Sequence, residues 1–116
     1  NETNSWVVAE WQRASRAMVR RVNRGVGSSH QRDLLTQAGR ELLLAQSSDW
    51  SFILKAGTTT ELARERIHRH LERFWRLLEA IETGTSPPAE WLVAVQREDG
   101  LFPLLNAADW ATPPPR

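Results

Sequence analysis

The residues that could do chemistry are few, and their spacing limits what they can do. His68 and His70 stand two apart in a segment of helical periodicity, so their side chains leave the helix roughly 200° apart. One helix cannot aim both at one metal ion. His30 belongs to a different segment, no HExxH motif occurs and the chain has no cysteine. Neither imidazole nor thiolate spacing therefore points to a metal site, and packed or surface histidine is the plain reading of all three. Nucleophile motifs fare no better. There is no GxSxG. Ser48 and Asp49 are adjacent, which suits a helix cap better than a nucleophile and its base. Gly25-Val26-Gly27 lacks the further glycine and the Lys-Ser/Thr of a phosphate loop. A retaining glycosidase needs two carboxylates ~5 Å apart across the scissile bond, and the acids here read as scattered over helix surfaces with no marked pair. By its residues alone the chain reads as a structural or binding module, not an enzyme, and none of them calls for a cofactor or a metal.

Arginine asks for separate treatment. Arg13, Arg16, Arg20, Arg21 and Arg24 fall within one segment, and such a cluster can contact phosphates. The same residues alternate with apolar positions as any solvated helix face does. Farther on, Arg64, Arg66, Arg69, Arg73 and Arg76 mix with Glu61, Glu65, Glu72 and Glu79, which favours pairing along the helix. With a net charge of only +1, neither nucleic acid nor a membrane surface is expected as a partner.

The elements that must hold these residues are helices. Val7, Trp11, Ala14, Met18 and Val22 repeat at steps of four and three and form one stripe. Asn4 or Ser5 is the expected cap of this helix, and Gly25 and Gly27 its end. Ser28-Ser29 supply caps for a second helix with the stripe Leu35, Ala38, Leu42 and Ala45. It stops in Gln46-Ser47-Ser48-Asp49, where Ser48 or Asp49 caps a short turn through Trp50, Phe52, Ile53 and Leu54 that Gly57 ends. Thr58-Thr59-Thr60-Glu61 opens the clearest helix, in which Ile67, Leu71, Phe74, Leu78 and Ile81 repeat at four, three, four, three before Gly84. Pro87-Pro88 starts a fourth, shorter helix with Trp91, Leu92 and Val95 that ends near Gly100. From about Leu101 the chain reads as an irregular tail. No strand is predicted. The expected fold class is all-α: one domain over residues 1–116, an antiparallel bundle of three long helices with one or two short extra helices.

Composition agrees with such a domain. The chain is 116 residues long, 41% hydrophobic and 25% charged, ordinary values for a soluble globular protein. No apolar run approaches the ~20 residues of a membrane span. No signal peptide precedes the first helix, and a cytoplasmic location is expected. Asn1 and the Pro113-Pro114-Pro115-Arg116 end read as the limits of a piece of something longer. Fourteen of the fifteen basic residues are arginine, a bias that reads as genome composition, and there are six tryptophans and no tyrosine. Tryptophan fills cores and also offers a flat face to ligands.

One stretch goes beyond composition. Gln46-Ser47-Ser48-Asp49-Trp50-Ser51-Phe52-Ile53 resembles the QSSDWPF signature of the C-terminal helical domain (domain of unknown function 1957) of branching enzymes in glycoside hydrolase family 57. The following helix is similar to the family's pattern of spaced Glu, Ala, Arg, His, Phe and Leu, met by Glu61, Ala63, Arg66, His70, Phe74 and Leu77. Asn4-Ser5-Trp6 resembles the Asn-Asp-Trp that starts the domain's first helix, and Glu98-Asp99-Gly100-Leu101-Phe102-Pro103 its closing motif. Ser51 stands where the family has proline, and Leu62 where it has tyrosine. These departures fit a divergent branching enzyme or a related amylase or 4-alpha-glucanotransferase.

The resemblance implies a function that the residues alone do not. In that family the catalytic carboxylates lie on an N-terminal (β/α)₇ barrel, which would be the partner of this domain within the same polypeptide. The reaction cleaves an α-1,4 glucan and passes the piece to a 6-hydroxyl, without a metal or other cofactor. By motif match, Ser48 and Asp49 face the glucan cleft, and Trp6 and Trp50 are expected to wall the groove. Trp50 has a second reading, as the residue that packs the short turn onto the bundle. Trp11, Trp75 and Trp91 lie on or beside helix stripes and are expected in or near the core. His70 and Arg66 are expected as partners tying the third helix to its neighbours. A reading of another class is a free-standing helical interaction module.

Overall fold

A computed structural model describes residues 2–25, 27–47 and 61–99. The described part is all-α, with no strand among the described residues. Helix α1 spans Glu2–Asn23, α2 Ser29–Ser47, α3 Glu61–Thr83 and α4 Ala89–Glu98. No helix of the described residues is long and apolar enough to cross a membrane.

The helix ends follow from local chemistry. After α1, Gly25 takes φ 101° and its N–H donates to the Val22 carbonyl. Gly27 takes φ 71°, a conformation that costs an L-residue roughly 1–2 kcal/mol. A side chain there would also overlap the Gln31 side-chain amide. That amide is engaged. Ser28 Oγ accepts from the Gln31 N–H at 3.2 Å, and Gln31 Oε1 accepts from the Ser28 N–H at 3.0 Å. This reciprocal pair is a capping box that starts α2. Gly84 ends α3, and Pro88 stands at the N-cap of α4, where its missing N–H matters least. One expectation fails: Asn4 and Ser5 lie inside α1, which already runs from Glu2. Trp6 and Val7 pack against the rest of the molecule, and tertiary packing of this kind sustains a helical turn beyond its local stop signals.

The predicted stripes form the core. Val7, Ala14, Met18 and Val22 of α1 are buried, as are Leu35, Ala38, Leu42 and Ala45 of α2 and Ile67, Leu71, Phe74, Leu78 and Ile81 of α3. Trp11 is the exception in its stripe: with Trp6, Trp75, Trp91 and Leu92 it is partly buried and packs against the core from its edge. An indole is too large for the closely packed seam and covers its margin instead. Phe74 sits at the centre, fully buried, with Trp75 edge-on at 5.0 Å.

Cross-helix contacts fix the directions. Glu41 meets His70 and His30 meets Ser86, so α2 runs antiparallel to α3. Trp6 meets His68, Arg13 lies over Trp75 and Arg21 pairs with Glu82. The offset between partners is nearly constant in these three pairs, so α1 and α3 run parallel and in register. Gln46 donates to Ser15 Oγ at 3.1 Å, which seats the end of α2 against α1. Arg24 also pairs with Glu82. Part of the arginine cluster of α1 is thus engaged in ion pairs and cation–π contact.

Candidate functional site

Among the described residues, two groupings of polar or aromatic side chains bear on function. The first is buried where α2, α3 and the end of α4 meet. Glu41 is fully buried, His70 is 4% exposed and Asp99 7% exposed. His70 Nδ1 lies 2.9 Å from Glu41 Oε1 and 3.5 Å from Asp99 Oδ2. Gln37, one turn before Glu41, donates to Glu41 Oε2 at 2.9 Å and to the Asp99 carbonyl at 3.2 Å. Arg40 donates to Gln37 Oε1 at 2.9 Å. Arg73 Nη1 donates to Asp99 Oδ2 at 2.5 Å and Nη2 to Glu98 at 2.8 Å. Every polar side chain in this group has a partner, as burial demands.

The electrostatics divide the two carboxyls. Burial pushes Glu41 up to about 7, opposed by its hydrogen bond with His70 and reinforced by the neighbouring Asp99. Burial acts on Asp99 in the same sense. There, however, hydrogen bonds from Glu41 and Arg73 outweigh it and hold the carboxyl below its usual range. For Arg73, burial opposes the charge, and hydrogen bonds to Glu98 and Asp99 keep it above its usual value. Glu41 thus keeps a proton to higher pH while Asp99 stays ionised against Arg73. Two like carboxyls in one site separate in this way.

A carboxyl shifted toward neutrality beside a histidine is what general acid–base catalysis uses. Burial decides against that reading: with Glu41 fully enclosed, no substrate atom reaches it. A metal is the other option. The ligand atoms of Glu41, His70 and Asp99 lie within 4.8 Å of one another, and a histidine with two carboxylates is a cation's donor set. The Arg73 guanidinium already sits on Asp99, however, and the Gln37 amide on Glu41. The positive charge this cluster needs comes from the protein. Its role is to tie three helices together.

Sequence reasoning foresaw one member, His70, as a tie between helices. It missed Gln37, Glu41, Asp99 and Arg73, and its picture of acids scattered over helix surfaces is corrected for Glu41 and Asp99, which are buried and converge. A signal existed. Gln37 and Glu41 continue the steps of three and four from Leu34 to Ala45, and His70 falls between Ile67 and Phe74 on the apolar side of α3.

The second constellation is near the surface. Trp6 is half-buried and stacks on the exposed His68, with ring centroids 4.8 Å apart and planes 12° from parallel. The Arg64 guanidinium lies 5.9 Å from the Trp6 centroid, and the buried Arg64 Nε has no hydrogen-bond partner among the described residues. On the other flank of α1, toward α2, Val8, Trp11, Gln12, Ser15, Arg16 and Gln46 line an open cleft. Gln46 is next to the last residue of α2, and Arg64 is in the first turn of α3. The end of α2 and the first turn of α3 therefore both lie against α1. Ser48, Asp49 and Trp50 belong to the connection between α2 and α3 and lie outside the described residues. Of the four expected glucan-contacting residues the structure places Trp6 alone.

Residues 10–110 match the family model described as 1,4-alpha-glucan branching enzyme, C-terminal. This chain belongs to that family. Its relatives agree. It is 38% identical over 82 residues to a 1,4-alpha-glucan branching enzyme of Thermococcus kodakarensis, a match covering 66% of this chain and 12% of that protein. A probable 1,4-alpha-glucan branching enzyme of Mycobacterium tuberculosis is 36% identical over 69 residues, which cover 59% of this chain and 13% of that one. Among solved structures, the α-amylase AmyC from Thermotoga maritima superposes with a TM-score of 0.80 at 30% identity. That match covers 97% of this chain and 22% of the amylase. The branching-enzyme C-terminal domain thus spans about an eighth of the branching enzymes it matches.

Proposed function

We propose that this domain is the accessory C-terminal part of a family-57 1,4-alpha-glucan branching enzyme. On this reading it packs beside the catalytic (β/α)₇ barrel of the same polypeptide and completes the glucan cleft. The parent enzyme transfers an α-1,4-glucan segment to a 6-hydroxyl, in glycogen-type synthesis in the cytoplasm, with no nucleic acid or membrane as partner. The observation that carries the proposal is the family match over residues 10–110. Burial of the acid–base cluster supports an accessory role, because the shifted carboxyl is out of reach of substrate. Ser48 and Asp49 offer hydrogen bonds to sugar hydroxyls, while Trp6 and Trp50 offer flat apolar faces to the C–H face of a pyranose.

A second reading has an observation of its own. The superposition over 97% of the chain is with a protein described as an α-amylase, so the parent could hydrolyse rather than branch, or act as a 4-alpha-glucanotransferase. Asp49→Ala and Trp6→Ala in the full-length polypeptide test the shared part. Both variants should fold normally and lose transfer and glucan affinity; unchanged activity and affinity in both would refute the site. Debranching the product and sizing the released chains separates branching from hydrolysis.

A further inference from the structure

We propose that His68 is a positioning residue for Trp6. Its imidazole is the shelf that sets the plane of the indole and leaves the opposite face for an α-glucan. The proposal rests on the reading of Trp6 given above.

The geometry is specific. The two rings lie 12° from parallel with centroids 4.8 Å apart, a stacked pair. Parallel stacking fixes the tilt of the indole as well as its distance. His68 is exposed, so its position is not explained by filling the core. Arg64, one helical turn earlier, brings its guanidinium to 5.9 Å from the same centroid. Residues 64 and 68 therefore form one strip along α3, and Trp6 lies against it where the parallel α1 and α3 first meet. A sugar ring needs one free indole face, held still. With His68 stacked on one face, a pyranose that stacks on Trp6 must use the other.

Removing the shelf has a calculable effect. A partly exposed helical tryptophan released from its support spreads over the two χ1 wells that a helix allows. Apparent affinity falls by the fraction of time spent in the competent orientation, about twofold if the wells are evenly filled. The loss should appear in ground-state binding: KM rises and kcat holds, because His68 is placed against Trp6 and not against the reacting atoms. The requirement is for a flat ring, so phenylalanine should replace histidine and alanine should not.

The test uses the full-length polypeptide with maltoheptaose for affinity and amylose for kinetics. Four variants are needed: Trp6→Ala, His68→Ala, His68→Phe and the double alanine variant. Fluorine NMR of fluorotryptophan-labelled protein, with the Trp6 signal assigned by its loss in Trp6→Ala, reads the indole environment without any glucan. His68→Ala should shift the Trp6 signal and weaken maltoheptaose about twofold, and His68→Phe should restore the affinity. The double variant should bind no worse than Trp6→Ala alone, since a shelf without its indole does nothing. An unmoved Trp6 signal, unchanged affinity in His68→Ala, or additive losses in the double variant would overturn the inference while leaving Trp6 as a glucan contact. Unchanged affinity in Trp6→Ala refutes the reading of Trp6 itself, and the inference falls with it.

Discussion

Replacing Glu41 by glutamine should remove a pH dependence that the fold creates. Glu41 is pushed from 4.5 up to about 7 by burial. A carboxyl that holds its proton more tightly when folded adds stability in full below its unfolded value. That stability is lost as pH rises through the folded value. Between about pH 4.5 and 7 the unfolded chain releases this proton first, so stability falls by about 1.4 kcal/mol per pH unit. Over the whole interval the loss comes to about 3 kcal/mol, and above it the dependence is flat. Asp99 acts in the opposite sense. Its depressed value adds stability above its ordinary range, which is lost as pH falls through the folded value. A glutamine at position 41 keeps the shape, can accept from Gln37 and can donate to Asp99, but it cannot ionise. Denaturant titrations of the chain and of Glu41→Gln from pH 4.5 to 8 give the difference curve directly. That difference should tilt toward the variant by roughly 3 kcal/mol, or roughly 10–20 °C in Tm for a domain of this size. A flat difference curve refutes the protonated Glu41.

Further outcomes follow from the packing. Phe74→Ala empties the centre of the core and should cost about 3–5 kcal/mol, read as a drop in the denaturation midpoint with little change in slope. Gly27→Ala meets both an unfavourable φ and the Gln31 amide; a loss of roughly 1–2 kcal/mol is expected, and a thermal melt shows it. Truncating His70 to alanine takes a hydrogen-bond partner from the buried Glu41, and a loss of about 1–3 kcal/mol is expected. Glu82→Ala should change stability by less than about 1 kcal/mol, because the Glu82 carboxylate in both pairs is exposed to solvent.

The helices were legible because their signals are local. The steps of three and four in Val7–Val22, Leu35–Ala45 and Ile67–Ile81 need no knowledge of neighbours, and neither do Ser28, Gly84 or Pro88 at the ends. The buried network was not legible in the same way. Gln37 and Glu41 stand at stripe positions, but α2 alone does not show that α3 and the end of α4 cover and pair them. Asp99 looks like part of a closing motif until Arg73 reaches it. Trp6 was singled out by resemblance, yet its shelf was not: the pairing with His68 exists only because α1 and α3 run parallel, and parallel order is a tertiary property. Trp11 shows the converse, a residue of correct periodicity whose size moves it to the margin of the core.

The network around Asp99 also bears on the order of folding. Its contacts link α4 to residues of α2 and α3 far away in sequence, such as Gln37 and Arg73. Long loops must close before such contacts form, whereas α2 and α3 can pair through their own apolar faces. The end of α4 should therefore dock onto a seam that is already built. Changes at Asp99 should accelerate unfolding and leave the folding rate nearly unchanged. The ties at Asp99 would then govern how long the folded domain lasts, more than how quickly it forms.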